Sequence, residues 1–525
     1  TLMRSSAASD VYKRQIQVFP ESLLFFSICV RMKKEKKQEE TKMAVLEHLQ
    51  PERVFYYFEE ISKIPRGSGN TKEISDYLVS FANSHNLRCI QDDDNNVIIF
   101  KEASEGYENA PVVMLQGHMD MVCEKTADST HDFTKDPLQL RIEGDFVSAT
   151  NTTLGGDNGI AVAYGLAIME DTTLSHPALE LVITVDEEIG LLGAASVDTT
   201  PLKAKYLINL DSEEEGYICA GCAGGMTAVS EIPVRYQEYT DYKWRVKVSG
   251  LLGGHSGAEI DKNRANATLL LARFLHEGKE LAEYSVSELF GGQKDNAIPR
   301  EAEALVLASK EDGEKLSAYA AAYTEALRKE YTGSDEGITV TVEEEGQGTE
   351  PVLHPVSQEK ALFFLLNYPN GIQKMCGFID GLVETSCNVG ITKLTPAVLS
   401  CSASVRSSVG TAKKALADKI GYLTEFLGGT FTIEGEYPAW EFKQDSKLRQ
   451  VLVDVYEEMY QKEPVVNVIH AGLECGLFYE KIAGLDCVSI GPDMQDIHTS
   501  EEKLSISSVE RVWNYLLEVL KRIKE

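Results

Sequence analysis

Five short motifs hold residues suited to binding divalent metal and moving protons. They are Gly117-His118-Met119-Asp120, Gly155-Gly156-Asp157-Asn158-Gly159, Asp186-Glu187-Glu188, Asn209-Leu210-Asp211 and, far downstream, His498-Thr499-Ser500-Glu501-Glu502. Together they offer two imidazoles and several carboxylates, a mixed nitrogen and oxygen set that zinc, cobalt and manganese all accept. Metal-assisted hydrolysis is the chemistry such a set serves. A single acid in such a place could equally cap a helix or end a turn. The set as a whole calls for more than that.

Something must carry these residues to one place. Val112 to Leu115 runs into His118, Leu179 to Val185 into Glu187, and Tyr206 to Leu210 into Asp211. These runs are short, apolar and rich in branched residues, as buried strands of a mostly parallel sheet are. Ligands of open α/β sheets gather beyond the carboxyl ends of the strands, which is where these polar residues fall. Helical spacing predicts helices over residues 51–63 and 71–85, with Thr71 as a cap, and over 157–170. Extended stretches are expected at 96–101 and 111–116.

The texture changes after Asp211. Between about 220 and 437 the chain alternates polar and apolar residues, as in Tyr242 to Val248, with helical stretches at 263–279 and 311–329. Alternation marks strands with one solvated face and one face packed by helices. Buried-strand texture returns at Leu485 to Ile490, just before His498. If His498 joins Asp211, the middle of the chain is an insertion. The expected domains are then a catalytic domain in two parts, 43–220 and 438–525, and an inserted α+β lid or dimerisation domain, 221–437.

Composition excludes more than it identifies. With 51 basic and 82 acidic residues in 525, the net charge of −31 argues against nucleic acid or anionic membrane as a partner. Ten scattered cysteines suit a reducing cytoplasm. Cys219-Ala220-Gly221-Cys222 has no second pair and reads as two ordinary thiols. Residues 1–42 differ from the rest: Arg4, Lys13 and Arg14 precede an apolar stretch broken by Pro20 and Glu21, followed by a charged run. The longest apolar piece is too short to span a bilayer. This segment is expected to be an unstructured or non-native extension.

Longer stretches around these motifs point to a family. Leu115 to Val122, Gly253-Gly254-His255-Ser256-Gly257 and His470-Ala471-Gly472-Leu473-Glu474-Cys475-Gly476, with the order of the five motifs, resemble the aminoacyl-histidine dipeptidase branch. That branch lies within the di-metal metallopeptidases that include aminoacylases and carboxypeptidase G. The likeness runs from Met43 onward. It implies a three-layer αβα, zinc-peptidase-like catalytic domain with an inserted lid. It also implies two divalent metal ions, with zinc the first choice and cobalt or manganese as alternatives. Asp157 would bridge them, His118 and Asp211 holding one and Glu188 and His498 the other. Asp120 would orient His118, and Glu187 would be the general base. The adjacent acids suit this division, one binding metal while its neighbour moves protons.

The resemblance extends to the lid. His255 would stabilise the oxyanion, from its own chain or from a partner subunit in a homodimer. Arg406 would pair with a substrate carboxylate and Asn296 would hold a substrate oxygen. Gly472 and Glu474 would line the opposite wall. His48, His85, His131, His176, His276 and His354 are read as surface or structural, and His470 has no assigned role. The implied substrate is a small unblocked dipeptide, with Xaa-His a candidate preference. An N-acyl amino acid deacylase or a tripeptidase is the alternative, and a catalytically silent binding protein a more distant one. The presence of Glu187 beside every ligand argues against the last.

Overall fold

Strand residues of the amino-terminal half alternate between two separate cores. A computed structural model describes residues 44–524, so the reading of 1–42 as an extension lies outside the described residues. In chain order the strands of the two large sheets begin with β1 (Arg88–Gln91), β2 (Val97–Lys101), β3 (Val113–His118), β4 (Leu179–Thr184), β5 (Tyr206–Asn209) and β6 (Tyr217–Cys222). Eight more follow: β7 (Gly224–Pro233), β8 (Tyr236–Ser249), β9 (Tyr284–Gly291), β10 (Ala302–Ala308), β11 (Thr339–Leu353), β12 (Val383–Leu394), β13 (Val398–Ser407) and β14 (Thr430–Tyr437). The last two strands of these sheets are β15 (Val465–Ile469) and β16 (Asp486–Ser489).

The first sheet has eight strands in the order β1-β2-β4-β3-β5-β16-β6-β15. Its centre is parallel, β3 lying between β4 and β5 and β16 beside β5. One edge departs from that expectation, because β2 runs antiparallel to both β1 and β4. Val113, Leu115, Leu181 and Ile183 face one core while Met114 and Val182 face the other. Successive strand residues point to opposite faces, so a sheet sandwiched between helices must be apolar on both.

On one face lie α1 (Glu52–Ile61), α2 (Lys72–Ser84) and α3 (Gly156–Glu170). Helix α3 is buried on nearly every side, as its all-round apolar sequence requires. Gly165 lets it close on the sheet, since a Cβ there would come 2.5 Å from Leu181 Cδ1. Thr71 precedes α2, but its side chain makes no capping bond.

The lid helices are α4 (Ala267–Gly278), α5 (Lys310–Glu330), α6 (Pro355–Asn367) and α7 (Gly410–Phe426). Helix α4 starts four residues later than the spacing predicts. Asn263 takes a left-handed φ of 53°, and the Asn266 side chain caps the helix instead. The second sheet has nine strands, eight of them in the order β11-β8-β10-β9-β12-β13-β7-β14. Trp244, Val246 and Val248 of β8 pack on Leu270, Leu271 and Phe274 of α4, while intervening residues face outward.

This order reads alike from either edge. In one half β8, α4, β9, β10, α5 and β11 follow one another along the chain. In the other half β7, α6, β12, β13, α7 and β14 do the same, with the first half inserted after β7. The halves meet where β9 pairs with β12 through Phe290 with Lys393 and Gly291 with Thr392. After the lid, α8 (Lys447–Tyr460), α9 (Cys475–Lys481) and α10 (Ile506–Arg522) complete the layers around the first sheet.

Candidate metal centre

Strands β3, β4 and β5 are parallel and in register, so their carboxyl ends bring the downstream residues together. His118 is the last residue of β3 and is 1% exposed. Its Nε2 lies 3.1 Å from Asp157 Oδ1 and 3.4 Å from Asp211 Oδ1. His498 approaches from the other side, its Nε2 being 3.0 Å from Asp157 Oδ2 and 3.1 Å from Glu188 Oε2. Asp157 thus stands between two half-sites, one carboxylate oxygen turned to each.

The turn after β4 presents the acid pair. Asp186 takes a left-handed φ of 53°, and Gly190 N donates to Glu187 O at 2.9 Å. Beyond the strand end, Glu187 and Glu188 are freed from alternating and both reach the cavity. Asp120 braces this turn, accepting from Glu187 N at 3.1 Å and Ser68 Oγ at 2.8 Å. Its Oδ1 also lies 3.3 Å from His118 Nδ1, which fixes that ring. Asn158 ties the strand ends together, donating to Leu210 O at 2.9 Å and accepting from His118 N at 3.3 Å.

The electrostatics suit cations. Burial opposes charge on both acids and imidazoles here, yet they crowd together. For His118 burial works to lower the pKa, but Asp211 and the hydrogen-bonding acids outweigh it and hold the ring well above its usual value. Hydrogen bonds to Asp157 and Glu188 raise His498 to about 11. Burial raises Asp211 to about 7 and pushes Glu187 well above the usual range. Glu188 Oε1 is buried with no partner among the described residues. Ligand atoms of His118, Asp157 and Glu188 lie within 4.8 Å of one another. Divalent ions fit this donor set, because they replace protons on the imidazoles and neutralise the carboxylates together.

Two cavities meet at the acid pair. One, of about 550 Å³, is lined by Glu187, Glu188, His255, Asn296, Arg406, Tyr437 and Gly472, among others. The other, of about 350 Å³, is lined by Asp157, Glu188, Asp211, Asn467, Gly472 and His498, among others. His255 therefore faces Glu187 from the lid of the same chain. Its Nδ1 accepts from Gly257 N at 3.3 Å and Ala258 N at 3.1 Å, leaving the ring proton on Nε2. Burial and nearby Arg406 lower its pKa, so the ring is neutral at pH 7. Asn296 sits beside it, where Gly254–His255 pairs with Ala297–Ile298.

Arg406 is 7% exposed on β13 and donates from Nη1 to Tyr437 Oη at 2.9 Å. Its Nε has no partner among the described residues. Glu474 departs from its expected place on the cleft wall. It is fully buried and borders neither cavity, accepting from Thr184 Oγ1 at 2.6 Å and from the Gln116 amide. Glu474 immediately precedes α9. His470 meets Ser386 Oγ of the lid through Nε2 at 2.7 Å. Neither cavity is bordered by the six histidines read as structural. The Cys219 and Cys222 thiols are unpaired, and burial raises them to about 12 and about 11, well away from reactive thiolates. Tyr437 and Ser68 carry no signal in the sequence. Tyr437 meets Arg406 only through folding, and Ser68 stands in a small-residue turn with no metal-ligand signal.

These features define a metal-dependent hydrolase, and comparison with known proteins identifies its kind. Residues 309–522 match the model of peptidase family M20/M25/M40, and residues 246–335 match that of a peptidase dimerisation domain. Cytosol non-specific dipeptidase of Escherichia coli is 34% identical over 488 residues, covering 92% of this chain and 99% of that protein. The crystal structure of aminoacylhistidine dipeptidase from Vibrio alginolyticus superposes with a TM-score of 0.83 at 34% identity, over 93% of this chain and 99% of that one. A tripeptidase from Staphylococcus aureus shares the fold, with a TM-score of 0.52 at 15% identity, 91% of this chain and 99% of that one being covered. The chain belongs to peptidase family M20 and is a metallopeptidase, a hydrolase of peptide bonds. Among the described residues no helix is long and apolar enough to cross a membrane.

Proposed function

We propose that this protein is a cytoplasmic two-metal dipeptidase that cleaves unblocked dipeptides, Xaa-His among them. The observation that carries the reading is the division of Asp157 between His118 and His498, beside a cavity lined by Arg406, whose Nε has no partner among the described residues. The names of the two relatives at 34% identity support the substrate class.

His118, Asp211 and Asp157 would hold one ion, and His498, Glu188 and Asp157 the other, zinc being the first choice. Bound there, the ions supply Lewis acidity that activates water and polarises a carbonyl. Glu187 takes the proton of the attacking water and returns it to the leaving amine. Its raised pKa suits a group that must hold a proton between these steps. Asp120 keeps the His118 ring oriented. His255 donates its Nε2 proton to the oxyanion from within the same chain, and Asn296 holds a second substrate oxygen. Arg406, set by Tyr437, pairs with the substrate carboxylate. Gly472 leaves room where the two cavities meet.

The domain reading follows the two sheets: 43–220 with 438–525 for catalysis and 221–437 for the lid. If the protein forms a dimer, the end of β9 at Phe290 and Gly291 is not free for it, because β12 already pairs there. The test is a panel of dipeptides including Xaa-His and β-alanyl-His, a tripeptide and an N-acyl amino acid. It is run after chelation and add-back of zinc, cobalt or manganese. Metal-dependent cleavage of the dipeptides is expected. Cleavage of the N-acyl amino acid with inert dipeptides would overturn the reading.

A further inference from the structure

The glycines around Asp157 leave room for two ionisable side chains that come from far along the chain. A Cβ on Gly155 would lie 2.4 Å from Arg66 Nη2, and one on Gly159 would lie 2.6 Å from the same atom. A Cβ on Gly156 would press on Glu502 Oε1 at 3.2 Å. Arg66 is 2% exposed and Glu502 is 3% exposed. Neither borders the cavities that hold the reacting groups.

They divide the backbone between them by polarity. Arg66 serves the carbonyls, Nη1 donating to Met119 O at 3.0 Å and Asp120 O at 3.3 Å, and Nη2 to Gly155 O at 2.5 Å. Glu502 serves the amides. Its Oε2 accepts from Leu154 N at 2.7 Å and Gly155 N at 3.0 Å, and its Oε1 from Gly156 N at 2.7 Å and Asp157 N at 3.4 Å. Burying either group is costly unless hydrogen bonds satisfy it, and these bonds concentrate on a single loop. That loop carries Asp157. Arg66 joins it to the residues that follow His118, and Glu502 joins it to the segment that carries His498.

We propose that Arg66 and Glu502 are positioning residues for the metal centre, holding the Asp157 carboxylate at the midpoint between His118 and His498. The inference rests on the ligand set given under Proposed function. Loss of Glu502 frees the His498 segment from the Asp157 loop and leaves the His118 and Asp211 side attached through Arg66. The half-site of His498 and Glu188 therefore weakens first. Supporting groups of this kind change metal affinity by about 10–100-fold.

The experiment titrates chelated full-length protein with Zn²⁺ against a chromophoric competitor, comparing parent, Glu502→Gln and His498→Ala. The parent is expected to take two equivalents. Glu502→Gln should keep one at parent affinity and bind the other about 10–100-fold more weakly, with kcat recovering as zinc is raised. A folded Glu502→Gln protein that binds both equivalents like the parent overturns the inference. So does an activity loss that zinc does not restore. Glu502→Asp, which keeps the charge but draws it back from the loop, should show a smaller loss of the same kind, and parent-like binding there is equally decisive. A parent that binds no zinc removes the metal reading itself, which separates the two failures.

Discussion

His118 and His498 aim their Nε2 atoms at opposite oxygens of Asp157, at 3.1 and 3.0 Å. Residues 380 positions apart in sequence (498 − 118) thereby share one carboxylate. Chelation should abolish hydrolysis, and add-back of two equivalents of zinc should restore it. His118→Ala and His498→Ala should each lower bound metal by about one equivalent, read by elemental analysis of dialysed protein. Full occupancy in both variants would refute the shared-carboxylate arrangement.

Among the described residues Glu187 is hydrogen-bonded to the cluster only through its backbone, which leaves its side chain free to move protons. Glu187→Gln should lower kcat by about 10²–10⁴-fold while metal content stays at the parent value. Steady-state kinetics with metal analysis separates this from loss of a ligand. Residual activity near that of the parent would rule Glu187 out as the base.

Arg406 lines the larger cavity, and its buried Nε has no partner among the described residues. Arg406→Lys should raise KM for free dipeptides by about 10–100-fold, a charge-assisted bond contributing about 1.5–3 kcal/mol. The same variant should treat carboxy-terminal amides much as the parent does. An equal loss on both substrates would mean that Arg406 does not read the carboxylate.

His255 lies across the cavity from Glu187 in one chain. His255→Ala should lower kcat by about 10²–10³-fold. Mixing it with Glu187→Gln should regain nothing, because each molecule still lacks one group. Activity returning on mixing would place the histidine in a partner subunit.

Burial raises Glu474 to about 7 from a usual 4.5. The folded protein then keeps a proton that the unfolded chain has lost. Stability of the metal-free protein should fall as pH rises from about 4.5 to about 7 and level off above that, by at most about 3 kcal/mol. Glu474→Gln, which mimics the protonated acid, should flatten this slope in urea titrations across pH. An unchanged slope would assign it to other groups.

Much of the centre was legible because strand ends announce themselves. His118 closes an apolar run, and Glu187, Glu188 and Asp211 follow others, so parallel packing was enough to gather them. The lid was legible as alternating strands but not as two matched halves, since β7 and β14 flank an inserted unit and no local spacing reveals their pairing. Glu474 borders neither cavity because its carboxylate is taken up by Thr184 and Gln116, and a motif fixes its neighbours in sequence but not the side chains that fold against it. Arg66 gave no signal, because its partners are backbone carbonyls 53 to 89 positions away. The antiparallel edge at β2 was equally hidden, a buried run being apolar whichever way its neighbour points.

The lid sheet that reads alike from both edges has a kinetic consequence. Where two subunits assemble a lid, an active site can be diluted out of existence. Here β9 finds its pairing strand in the same molecule, and His255 travels with the residues it faces. Turnover per molecule should therefore hold constant down to the lowest concentration at which the enzyme can be assayed.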